Sequence, residues 1–165
     1  MLKIKLLTAV IALTVSAGNC QDKGSDKNEI HKCVIRELKK EGHKFNIQSA
    51  TKKSIFSSFD FGGGGRGLDT TSNNIWNRKE WIDFVKTIDT ASIREYALNS
   101  NAKITPAKNR LIFAPIIFSK ENDKALCIGT LFSTTNGGGQ TTAWYYQKEN
   151  GIWALKASQI ISLID

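Results

Sequence analysis

The chain has 165 residues, with 23 Lys and Arg against 15 Asp and Glu, so its formal net charge is +8. That length suits one domain, and 41% hydrophobic residues is ordinary for a globular protein and too many for a disordered tail. Two Pro and three Cys exclude a collagen-like chain and a disulfide-dense miniprotein, and no apolar run reaches the roughly 18–20 residues that span a bilayer.

Lys3 and Lys5 open the chain, Leu6 to Val15 is apolar and uncharged, and Ser16, Ala17 and Gly18 are small. This order is that of a secretory signal peptide, here residues 1–19. The stretch Ala17-Gly18-Asn19-Cys20 resembles the lipobox of bacterial lipoproteins, in which the Cys sulfur is diacylated and the Cys becomes the new N-terminus. The resemblance implies a lipid anchor at Cys20, a membrane as partner, and a place in the bacterial cell envelope facing the periplasm or the cell surface. Asn19 departs from the family pattern, where Gly, Ala or Ser precedes the Cys. The competing site is cleavage after Ala17, which gives a soluble secreted or periplasmic protein.

Cysteine parity bears on the same question. With Cys20 lipidated, Cys33 and Cys127 remain in an oxidising compartment, where two thiols can pair. The expectation is a Cys33–Cys127 disulfide, worth about 4–5 kcal/mol in chain-entropy terms. The alternative is two buried reduced thiols.

Residues 20–25 read as a short polar tether, and 26–165 as a single domain. Loss of Lys3 and Lys5 with the signal lowers the charge from +8 to +6. Asp26 to Glu41 has Ile30, Cys33, Val34 and Leu38 at helical spacing, with Gly42 as the stop. Lys32, Arg36, Lys39 and Lys40 fall off that stripe, on a solvated face. Ser54 to Phe61 alternates as a strand does, through Ile55, Phe59 and Phe61. Asn77 to Ile88 is a second helix, capped by Asn77 and Glu80 and striped by Trp81, Phe84, Val85 and Ile88. A short third helix is expected from Thr90 or Ser92.

From Asn109 the period becomes two. Strands are expected at Arg110 to Ser119, Lys124 to Ser133, Thr141 to Lys148 and Ile152 to Ala157, with residues 158–164 as either strand or helix. Asn150-Gly151 signals a tight hairpin, and Pro115 marks an edge or a bulge. The expected fold is α+β: N-terminal helices packed on a C-terminal four-stranded antiparallel meander. Ile116 to Lys120, Ala125-Leu126-Cys127, the Gly-rich turn, Trp144-Tyr145-Tyr146 and Gly151-Ile152-Trp153 together resemble uncharacterised lipoproteins of Bacteroidetes-type bacteria. The resemblance implies this fold and an envelope location, and it carries no catalytic residues.

No residue pattern specifies catalysis. His31 and His43 lie outside any zinc spacing, and C-x-x-C, H-E-x-x-H and G-x-S-x-G do not occur. Gly62, Gly64 and Gly67 match G-x-G-x-x-G formally, but Asp69 to Asn74 opens no helix there to face a pyrophosphate. Acids are scattered along the chain, and basic residues mix with acidic ones instead of forming a nucleic-acid block. The expectation is therefore a non-catalytic envelope binding domain with no cofactor, no metal and no nucleic-acid partner. Its partner would be an envelope protein or an acidic glycan. The alternative is a secreted hydrolase or glycan-binding protein acting on cell-wall or exported polymers. Expected partner contacts are Gly62, Arg66 and Gly67 of the first Gly-rich loop, Asn136 and Gly138 of the second, and Trp144 and Tyr146, since aromatic residues are enriched at binding hot spots.

Overall fold

The structure is a computed structural model that describes residues 26–58, 79–98 and 107–164. Helix α1 spans Asp26–Lys40 and helix α2 spans Lys79–Lys86. The strands are β1 (Asn46–Ile47), β2 (Asn109–Phe113), β3 (Ile117–Phe118), β4 (Lys124–Ser133), β5 (Gly139–Glu149) and β6 (Ile152–Ile164). They form one six-stranded sheet in the order β1-β2-β4-β5-β6, with β3 also pairing β4.

This overturns the four-stranded antiparallel meander. The sheet is mixed, because β1 runs parallel to β2, with Asn46 opposite Arg110 and Ile47 opposite Leu111. Of the strand expected at 54–61, residues 59–61 lie outside the described residues, and the described ones form a 3-10 helix, Lys53–Ser58. Adjacent Ile55 and Phe56 are both buried there, which strict alternation would forbid. The expected third helix is absent, since residues 90–96 are turn and irregular chain. Pro115 splits the expected first strand into β2 and β3, because it offers no amide to β4. The undecided residues 158–164 are strand.

Both faces of the sheet are covered. On one, Ile30, Val34 and Leu38 of α1 meet Leu111, Phe113, Trp144 and Trp153. On the other, the 3-10 helix and α2 bring Phe56, Trp81 and Phe84 against Leu126, Ile128 and Tyr145. The Trp81 and Tyr145 rings meet edge to face at 5.1 Å. This explains the near-continuous burial of Ala125–Thr130 on β4, since a strand covered on both faces has no polar side to show. Turn chemistry sets the β5–β6 register. Asn150 and Gly151 sit at φ 51° and 80°, the left-handed pair that a two-residue hairpin needs.

Candidate functional site

Among the described residues, a cleft of about 620 Å³ opens where three distant parts of the chain converge. Lys27 comes from the first turn of α1. Phe84, Thr87 to Asp89, Ser92 to Arg94 and Tyr96 come from the end of α2 and the chain after it. Pro115 to Phe118 and Lys120 come from β3 and its flanks. Its volume falls in the usual range for ligand sites, roughly 300–1,000 Å³.

Each wall has a mechanical cause. Asp26 heads α1, and its carboxylate takes Lys148 Nζ at 3.0 Å on both oxygens and Asn122 Nδ2 at 3.1 Å. Burial works to raise the Asp26 pKa, but hydrogen bonding from Lys148 and Asn122 outweighs it and holds the carboxyl below its usual value. This pins the start of α1 to the end of β5 and to the β3–β4 turn, and so fixes Lys27 at the mouth of the cleft. The same turn is closed by Ser119, whose hydroxyl donates to Asp123 at 2.7 Å and accepts the Lys124 amide at 3.0 Å. The Ser119 hydroxyl and Lys124 Nζ, which donates to the Asp123 carboxylate at 2.9 Å, hold that carboxyl below its usual range.

Tyr96 forms the floor nearest α1. Fully buried Thr51 clamps its backbone: the Tyr96 amide donates to Thr51 Oγ1 at 3.0 Å, and the Thr51 amide donates to the Tyr96 carbonyl at 3.0 Å. The Tyr96 phenol oxygen accepts the Ile116 amide at 3.1 Å, so the amide just past Pro115 is satisfied by a side chain in place of a strand partner. Lys27 Nζ lies 4.4 Å from the Tyr96 ring centroid, a cation–π distance. Burial raises the Tyr96 pKa, so the phenol is protonated throughout the physiological range.

The electrostatics of the cleft are one-sided. Lys27, Arg94 and Lys120 are exposed at its rim, and Asp89 is the one carboxylate among the described lining residues. The walls are apolar, from Phe84, Ile88, Ile93, Ile116, Ile117 and Phe118. Two of the lining hydroxyls have local duties: Thr87 donates to the Phe84 carbonyl and Ser92 to the Asp89 carbonyl. The arrangement can hold an anion beside an apolar group. Among the described lining residues no second carboxylate stands with Asp89 for the paired chemistry of a glycosidase. No group of three metal-ligating side chains exists among the described residues.

His31 lies one turn along α1 from Lys27, behind Tyr96. It is 5% exposed, its ring is 4.6 Å from Phe113 and 6.0 Å from Tyr96, and neither ring nitrogen has a hydrogen-bond partner. Burial first, and then the Lys27 charge, push its pKa from 6.5 down to about 4.

The expected contact residues are scattered. Trp144 and Tyr146 are 6% and 1% exposed, so they belong to the core under α1 and present no surface to a partner. Asn136 is exposed and Gly138 half-buried on the β4–β5 turn, where they help line a shallow groove with Gln140 and Ile164. Gly62, Arg66, Gly67 and the anchor residue Cys20 lie outside the described residues. The Cys33–Cys127 disulfide is not formed, since Cys127 is a free thiol. The two residues share one apolar cluster but belong to different layers.

Sequence reasoning missed the cleft. Lys27, Arg94 and Lys120 belong to no common motif, and only the fold brings them together. No protein-family model, curated protein or solved structure matches the chain.

Proposed function

We propose that this chain is an exported, lipid-anchored, non-catalytic binding domain of the bacterial cell envelope, and that its cleft takes an acidic peptide segment of another envelope protein. The observation that carries the reading is the pairing of three rim cations with apolar walls around about 620 Å³. An acidic side chain supplies the counter-charge to Lys27, Arg94 and Lys120, and a neighbouring apolar side chain fills the space between Phe84, Ile93 and Phe118. The apolar walls favour a peptide over a glycan, which would leave them wet. The N-terminal pattern ending at Cys20 supports the anchor, and residues 21–25 would hold the cleft close to the membrane surface.

The test uses a fluorescent peptide of alternating Glu and Leu, its Lys-Leu counterpart, and oligogalacturonate as an acidic glycan. The mature protein should bind the Glu-Leu peptide alone, and more weakly as salt rises. Charge reversal by Lys27→Glu, Arg94→Glu and Lys120→Glu together should weaken binding by at least about tenfold. Equal binding by the reversed variant, or preference for the glycan, would overturn the peptide reading.

A further inference from the structure

All four large apolar side chains exposed among the described residues lie on one strand: Leu155 at 41%, Ile160 at 53%, Leu163 at 70% and Ile164 at 40%. That strand is β6, which is 13 residues long and ends the sheet, so its outer amides and carbonyls meet no strand among the described residues. Edges of this kind are normally blunted by Pro, Lys or an inward charge. From Ala157 to Ile164 the strand carries no charge and no Pro, and its one charged residue, Lys156, is paired with Glu149.

The two irregularities in the β5–β6 ladder decide which face the apolar side chains share. Leu155 pairs with Tyr146, Ser158 with Trp144, Ile160 with Thr142 and Leu163 with Gln140, while Lys156 and Ile161 are the extra residues. Paired residues share a face, so Leu155, Ser158, Ile160 and Leu163 all project on the α1 side. Strict alternation would have sent Ile160 to the side opposite Leu155 and Leu163.

We propose that β6 pairs antiparallel with β6 of a second copy of this chain, about a two-fold axis at Gln159. Self-complementarity argues for that occupant. Centred on Gln159, Ser158 lies opposite the partner's Ile160, Leu155 opposite the partner's Leu163, and Ala154 opposite the partner's Ile164, and each pair shares a face. A shift of one residue sets Ser158 against the partner's Gln159, from the other face. The edge is uncharged over eight residues, so two copies of a basic chain can meet there without like charges along residues 157–164. The surface is separate from the cleft, and this proposal stands whatever the cleft binds.

The experiment is cysteine cross-linking of the full mature chain together with sedimentation. Residues opposite each other in an antiparallel pair have Cβ atoms about 4.5–5.5 Å apart, so Gln159→Cys should give a covalent dimer under copper-catalysed air oxidation. Lys120→Cys, on the cleft rim, should not. Ile160→Lys with Leu163→Lys, both at exposed positions, should lower the dimer fraction at least about tenfold in sedimentation. A monomer at the highest soluble concentration would overturn the proposal. So would a dimer that survives the double Lys change, or one that Gln159→Cys fails to trap.

Discussion

His31 makes acid the most informative perturbation of this fold. Its imidazole is buried, unpartnered and one turn from Lys27, and its pKa stands at about 4 against 6.5 in an exposed chain. In the folded protein the ring is held neutral, whereas the unfolded chain takes up a proton below 6.5. The unfolded state therefore binds more protons between those values, and stability falls as pH falls. The contribution is fully present above pH 6.5 and is lost progressively down to about pH 4. At about 1.4 kcal/mol per pH unit the full loss is about 3 kcal/mol, of which some 2.5 kcal/mol is gone by pH 4.5. Urea unfolding of the mature protein and of His31→Leu at pH 7 and pH 4.5 isolates the group. The variant has no imidazole to protonate, so its loss between the two pH values should be smaller by about 2–3 kcal/mol. At pH 7 it should be equal to the parent or slightly more stable, because two unpaired buried nitrogens are gone. The depressed carboxyls of Asp26 and Asp123 lose their stabilisation at lower pH, as it falls below the ordinary carboxyl value of 3.8, so they do not imitate the effect. Equal pH dependence in parent and variant would refute the reasoning.

Thr51→Val should cost about 1–3 kcal/mol in thermal unfolding, because it strips the half-buried Tyr96 amide of its acceptor, and the same change should weaken peptide binding. Cys127 should resist alkylation in the native protein and react fully after denaturation, since it is buried and burial pushes its thiol pKa up; mass spectrometry with and without denaturant reads this directly. The mature N-terminus should begin at Cys20 carrying a diacylglycerol mass; a mature chain starting at Gly18 would remove the anchor from the account.

Periodicity made the helices legible. The stripe Ile30, Cys33, Val34 and Leu38 marks α1, and Trp81 with Phe84 marks α2, because helix burial repeats every three to four residues. The Asn150-Gly151 hairpin was equally legible, because so few residues tolerate its left-handed backbone. β1 was not, since two residues carry no period, and its parallel partner β2 lies more than sixty positions away. Ile55, Phe59 and Phe61 imitate a strand, yet burial of both Ile55 and Phe56 belongs to a tight helical turn. Trp144, Tyr145 and Tyr146 carried a signal that was misread. Three consecutive large apolar residues on one strand mean a sheet covered on both faces, which excludes them from the surface. The cleft depends on tertiary pairings alone, through Thr51 to Tyr96 and Asp26 to Lys148, so no local pattern reveals it.

Amide hydrogen exchange of the mature protein with and without the Glu-Leu peptide tests the central claim most directly. The account predicts added protection over residues 84–96 and 115–120 and at the first turn of α1, with β6 unchanged. Binding that protects β6 or the 134–138 turn, and leaves residues 84–96 as they were, would contradict it.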